Sequence, residues 1–459
     1  MFSIISIFVT TLLLSYLVYR GNTILLFSAF CTVVLVLLGE GSAADLVKHI
    51  QILLYALSKY FVLYFPIFLL GAVFGNLLKK SGYGKVIAYW LVEKVGRDQA
   101  VLSTVLLCAT LTYSGVSLFV ITFVVYPVIK PLFQCANLPK RLIPAAIAFG
   151  SFTFTMTAFP GSSSVVNVMP TGFFHTDAYA ASVLGIVCGS AMFVIGMAWF
   201  NYRIKQADLL QEGYLEGFVF EEQELIDRND PFIVAILPLI IIIAAGLLLP
   251  ACFEITPDCD YLNKRQYSLS DINTFADNIY IAIGLLAGIG TIIISNYRNL
   301  DDIKRVINKG AEFSLVPIVS TASVMGYGAV VAAVPAFSAL KSVIASWSLD
   351  SPILSASLAS IVFSSCSGSA SMGMSMILAN IGDFLYKAAV SLGTDPEILH
   401  RITSMSVGIF DSLPSNGAII SIMAVTSLTF RESYKDMFVT TVLVPLAVVI
   451  SAITFCLVI

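Results

Sequence analysis

Asp411 stands in an otherwise apolar stretch, SVGIFDSLPSNGAIISIMAV, three residues before Pro414 and ahead of Ser415, Asn416 and Gly417. A charge at the bilayer centre costs at least about 2.5–3.5 kcal/mol on insertion scales, so this carboxylate needs a partner or a purpose. Two roles fit: a titratable coupling site whose protonation accompanies a substrate, or a cap accepting N–H bonds from the half-helix that follows. A second polar break, TMTAFPGSSSVVNVMPT at 155–171, holds Pro160, Gly161, Ser162, Ser163, Ser164 and Asn167 between long apolar runs. The start of each following half-helix exposes backbone N–H groups and carries roughly half a positive charge. Hydroxyl and amide donors add to it, and the chemistry is that of holding an anion.

The elements that position these residues are membrane helices. Of the 459 residues, 58% are hydrophobic and 12% charged, about half the charge of a soluble chain. Mean hydropathy is +0.92, and apolar runs of about 18 residues recur from end to end. The expected fold class is all-α: a polytopic membrane protein of roughly 11–13 membrane segments. The opening run 3–19 has neither a basic leader nor a small-residue cleavage site and reads as a retained first helix. A net charge of −3 and the absence of a basic run give no indication of nucleic acid. No CxxC or HExxH spacing supports a metal site, and no cofactor is expected. Cys252 and Cys259 share a polar loop, where a disulfide is an open alternative. His49, His175 and His400 read as solvated or interfacial, with His175 and Asp177 as candidates for lining an outer vestibule.

Orientation follows from Lys and Arg in the short loops. Arg20, Lys79, Lys80, Lys85, Lys130, Lys140, Arg141, Arg203, Lys205, Arg298, Lys304, Arg305, Lys309, Arg431 and Lys435 form one consistent inner set. Glu40 and the acidic loop 252–271 fall outside. The expected organisation is amino-terminal membrane helices at 1–50, transport repeat 1 at 51–200, a cytoplasmic connector at 201–231, linking membrane helices at 232–300 and transport repeat 2 at 301–459. Gly75 and Gly328, Gly115 and Gly368, and Gly161 and Pro414 are each 253 residues apart. The charge assignment makes equivalent segments run in opposite directions, and inverted repeats with interrupted helices at matching places mark a secondary transporter.

The run 98–129 is too long for one crossing and holds Ser114, Gly115 and Ser117 at its middle, so it reads as a re-entrant hairpin. Its partner, 352–380, carries Ser367, Gly368 and Ser369 at the tip. The plainer reading of such clusters is close packing of helices through small residues. That reading accounts less well for the breaks, because packing has no need of proline, serine and asparagine together at two related places.

The runs HRITSMSVGIFDSLPSNGAIISIMAVTSLTFRESYKDMF (400–438) and LPKRLIPAAIAFGSFTFTMTAFPGSSSVVNVMPTGFF (138–174) resemble the gluconate permease family, GntP, and SCSGSASMGMS at 365–375 is similar to its hairpin. The resemblance implies proton-coupled uptake of small organic acids, such as gluconate or 3-hydroxybutyrate, across a bacterial inner membrane. It also implies the inverted-repeat fold of the wider ion transporter superfamily. Many relatives have LPHNG where this chain has Ser415, so Asp411, Pro414, Asn416 and Gly417 are what carry over at that motif.

The leading expectation is a non-enzymatic, proton-coupled symporter of a small carboxylate. Ser162, Ser163, Ser164, Asn167, Ser415 and Asn416 bind the carboxylate, with Pro160, Gly161, Pro414 and Gly417 making the breaks. Ser114, Gly115, Ser117, Ser367, Gly368 and Ser369 close the pocket, and Asp411 couples the proton. Sodium is the alternative coupling ion, held by carbonyls freed at the breaks. An intramembrane enzyme lacks support, since neither a GxSxG elbow nor paired membrane aspartates occur. A passive anion channel would not need a titratable group beside its site. Expected partners are the substrate, the coupling ion and the lipid bilayer; a homodimer through the amino-terminal helices is an analogy to the superfamily.

Overall fold

The computed structural model describes residues 2–39, 43–96, 99–113, 118–214, 231–253, 269–296, 303–337, 339 and 351–458. The described chain is helical, without a strand: α1 (Phe2–Tyr19), α2 (Ile24–Gly39), α3 (Ala43–Lys80), α4 (Tyr83–Val95), α5 (Ala100–Tyr113), α6 (Leu118–Cys135), α7 (Leu142–Phe152), α8 (Val165–Val168), α9 (Thr171–Phe174) and α10 (Ser182–Leu209). There follow α11 (Phe232–Cys252), α12 (Leu269–Ser295), α13 (Ile303–Ala333), α14 (Pro352–Ser367), α15 (Ala370–Ile377), α16 (Asp383–Ser391), α17 (Pro396–Val407), α18 (Gly417–Thr426), α19 (Phe430–Phe438) and α20 (Val444–Val458). Among these residues, six helical stretches are long and apolar enough to span a bilayer: 44–80, 182–209, 232–250, 278–295, 303–333 and 430–457. Shorter apolar helices fill in between them. The chain is a polytopic membrane protein.

The segment around His49 and the apolar run at 56–78 form one helix, α3, 38 residues long. No glycine interrupts 43–70, and at 1.5 Å per residue the helix is about 57 Å long, well beyond a hydrocarbon core of about 30 Å. His49 is fully buried rather than solvated, with Nδ1 2.7 Å from the Asp45 carbonyl.

The offset of 253 residues carries α5 onto 353–366, the place of α14, and α7 with its π-helical extension (Phe154–Ala158) onto 395–411, where α17 begins. It carries α8 and α9 onto 418–427, the place of α18. At this offset the two short helices α8 and α9 fall against one continuous helix, α18. Pro170, which has no N–H to give and whose ring crowds the preceding turn, stands where the second half has Met423.

Two compact units interleave along the chain. One comprises 1–58, 144–202 and 319–459, and holds both proline breaks and the second hairpin. The other comprises 59–143 and 203–318. In this second unit α11 and α12 pack closely at Gly284, where a Cβ would come within 2.7 Å of the Ala245 Cβ, and Trp90 stacks on Phe232 at 4.1 Å. At the start of the connector Arg141 grips Glu212 through two bonds of 2.6 and 2.7 Å, which holds that carboxyl below its ordinary range. Residues Ser114, Gly115 and Ser117 of the expected first hairpin tip lie outside the described residues, as does Cys259, for which a disulfide with Cys252 is an open alternative in the sequence.

Candidate functional site

The first break begins where the π-helical turn ends. Phe159 is extended, Pro160 and Gly161 form a turn with Gly161 at φ 76, and the Gly161 N–H donates to the Ala178 carbonyl at 2.9 Å. Ser162 is fully buried, and its hydroxyl accepts from the Ser164 N–H at 3.3 Å. Ser163 is exposed and Ser164 half-buried. Asn167 is fully buried with its amide committed inside the protein: Nδ2 donates to the carbonyls of Ser162 and Ala178 at 2.9 and 3.1 Å.

What fastens this break is a face of α17 that the sequence reading did not single out. Glu397, His400, Arg401 and Ser404 follow the i, i+3, i+4, i+7 spacing of one helical face. Glu397 Oε2 accepts from the Ala181 N–H at 2.9 Å, and the Ser404 hydroxyl donates to the Val166 carbonyl at 2.9 Å. Arg401 is fully buried and donates from Nη1 to Asn167 Oδ1 at 2.7 Å, from Nη2 to the Ala180 carbonyl at 2.8 Å and from Nε to that carbonyl at 3.1 Å. A longer bond of 3.3 Å reaches the Ala178 carbonyl.

His400, expected to be solvated, is instead fully buried. Its Nε2 is 3.0 Å from the Asn167 carbonyl and its Nδ1 2.7 Å from the Thr176 hydroxyl. A carbonyl can only accept, so Nε2 carries a proton, while the bond between Nδ1 and the Thr176 hydroxyl can run in either direction. The signal available in the sequence was EILHRITS itself, a polar stripe at helical spacing in an apolar region. His175 is exposed, as expected, with its ring edge-on to Tyr386.

The second break runs between α17 and α18. Asp411 is buried and its Oδ1 receives two donors, the Ala370 N–H at 2.7 Å and Asn416 Nδ2 at 2.8 Å. No cation pairs with it among the described residues. The half-helix that follows is not capped by Asp411, as one reading of the sequence had it. Asn416 caps α18 through Oδ1, accepting from Ala418 and Ile419 at 2.7 and 3.2 Å, because its side chain stands one residue before the first turn. Asp411 instead holds the first N–H of α15, the returning arm of the second hairpin.

That hairpin is stopped and reversed by Gly368, at φ 66, whose N–H closes onto the Ser364 carbonyl at 2.9 Å. Its arms run close enough that a Cβ on Gly373 would lie 2.7 Å from the Ser364 Cα. Ser367 is buried and turns its hydroxyl toward the Ser369 carbonyl at 3.0 Å. The tip meets the second break at Gly368, where a Cβ would stand 3.3 Å from the Ser415 carbonyl. Ser415 is buried, and its hydroxyl accepts from Ser15 of α1 at 3.0 Å. Thr321 of α13 donates to the Gly417 carbonyl at 3.0 Å. Neither Ser15 nor Thr321 is distinguishable in the sequence from an ordinary packing residue.

The two breaks approach one another across α17: a Cβ on Gly408 would stand 2.5 Å from the Thr157 methyl. Pro160, Gly161, Ser162, Ser163, Ser164, Asn167, Ser367, Gly368, Ser369, Asp411, Pro414, Ser415, Asn416 and Gly417 all lie in the one unit that holds both breaks.

No family model matches the chain. It is 37% identical over 451 residues to the uncharacterized transporter YxjC of Bacillus subtilis (strain 168), an alignment spanning 95% of each protein. The chain belongs to that transporter's family. At this coverage the likeness extends over both units of the chain.

Proposed function

We propose that the chain is a secondary active carrier that moves a small organic acid anion together with a proton, across a bacterial inner membrane. The observation that carries this reading is Asp411, a buried carboxylate without a cationic partner among the described residues, tied to a hairpin tip and to a helix break at once. Charge-assisted bonds are roughly twice as strong as neutral ones. A proton on Asp411 weakens both bonds to Oδ1, releases the start of α15 and lets the tip move relative to the second break. Loss of the proton restores them.

Family membership with a protein named a transporter supports transport, and the resemblance of the break and hairpin strings to gluconate permeases supports an organic acid such as gluconate or 3-hydroxybutyrate. The hydroxyls of Ser162, Ser163, Ser164 and Ser415 are the proposed donors to the substrate, with Ser367 and Ser369 at the lid. Counterflow tests this reading against a pore or an enzyme. Proteoliposomes preloaded with unlabelled gluconate or 3-hydroxybutyrate should accumulate the labelled acid transiently above equilibrium. Monotonic equilibration, or no entry at all, would count against a carrier for these acids.

A further inference from the structure

Arg401 bears a full charge in a fully buried position, and each of its hydrogen bonds goes to a neutral oxygen: Asn167 Oδ1 and the carbonyls of Ala178 and Ala180. No carboxylate pairs with it among the described residues. The nearby acids are occupied elsewhere, Glu397 by the Ala181 N–H and Asp177 by the Tyr179 N–H. Buried ions are paired as a rule, and dipoles alone leave such a cation poised for an anion. A guanidinium also offers a planar fork that matches the two oxygens of a carboxylate.

We propose that Arg401 is the group that receives the substrate's carboxylate, and that the side-chain oxygen of Asn167 occupies the carboxylate's place while the site is empty. The inference rests on the carrier reading and names the recognition chemistry within it. Asn167 Oδ1 lies 2.7 Å from Arg401 Nη1, where a carboxylate oxygen would bind, and it is the one side-chain acceptor of the guanidinium. Exchanging it breaks no backbone bond of Arg401. The acceptors all belong to the first break, which is built of two four-residue helices and left-handed residues at Gly161, His175 and Ala181 rather than a rigid rod. Room for the guanidinium is kept by Gly185, where a Cβ would stand 3.2 Å from Nε.

Two substitutions at one position separate this from simple fastening. Both Asn167→Asp and Asn167→Ala lose the Nδ2 bonds to Ser162 and Ala178, and the aspartate also turns an oxygen toward those carbonyls, so the unfolding temperature of each variant without substrate is measured beside its KM. They differ in what they present to Arg401. Asn167→Asp installs a permanent competing carboxylate and should raise KM for labelled gluconate or 3-hydroxybutyrate uptake by about 30-fold or more, the usual scale for a buried charged contact. Asn167→Ala vacates the place, so its KM should lie at least about tenfold below that of Asn167→Asp. Equal KM values in the two variants, or a higher one in Asn167→Ala, overturn the inference.

Should either variant fail to insert, Arg401→Lys keeps the charge and removes the fork. The purified variant should lose the rise in unfolding temperature that the same acid gives the wild type, and an undiminished rise overturns the inference. A wild type that transports neither acid would overturn the carrier reading, and this inference with it. A transporting wild type with parallel Asn167 variants overturns this inference alone.

Discussion

Asp411 and Arg401 are ten residues apart on one interrupted segment, and each is balanced by backbone dipoles and amides instead of by an opposite charge. Asp411 faces the N–H of a helix start, while Arg401 faces carbonyls at the end of a break, which is the polarity each charge prefers. For Asp411 the consequence is testable. Asn in its place retains an oxygen that can accept from Ala370 but neither carries charge nor changes its proton content. Asp411→Asn should insert normally and still exchange labelled for unlabelled acid, while uptake driven by a pH gradient falls more than about tenfold, a barrier change of about 1.4 kcal/mol or more. The measurement is the ratio of gradient-driven uptake to counterflow, and an unchanged ratio would remove Asp411 from coupling. The carboxylate was visible in the sequence because an aspartate in an apolar run has few explanations. Arg401 was not singled out, since a basic residue at the start of an apolar segment usually marks an interface, and burial by a distant stretch at 167–180 leaves no local trace.

At the scale of elements, the breaks were legible because proline and glycine change what a backbone can do wherever they stand. The hairpin at 352–377 was legible for the same reason, with Gly368 supplying the left-handed residue that reverses it. Less legible was which side chain caps which helix. The sequence offered Asp411 as a cap for the helix after it, yet the pairing across 41 residues to Ala370 depends on tertiary packing. The short side chain of Asn416 reaches the local N–H groups first. Asn416 therefore does two jobs, capping α18 and donating to Asp411. Asn416→Ala should cost about 1–2 kcal/mol, at the upper end for a lost cap, because the Asp411 contact goes with it. A fall in the unfolding temperature of the purified protein would report it. A stability equal to wild type would mean that neighbours replace both contacts.

For the whole molecule, composition and long apolar runs set the fold class, an all-helical polytopic membrane protein. Two departures are local: α3 is longer than expected and continues through Pro66, and Pro170 stands between the short helices α8 and α9. The unit that holds both breaks also takes in α1, through Ser15 at Ser415. A serine in an apolar helix did not announce that contact.

The central claim is that acid and proton travel together, and imposed gradients test it most directly. Proteoliposomes holding the purified protein and a pH-sensitive dye should accumulate labelled gluconate or 3-hydroxybutyrate when the outside is made acidic, with the interior acidifying as the acid enters and no requirement for sodium. Uptake that follows a sodium gradient, with no movement of internal pH, would contradict the account.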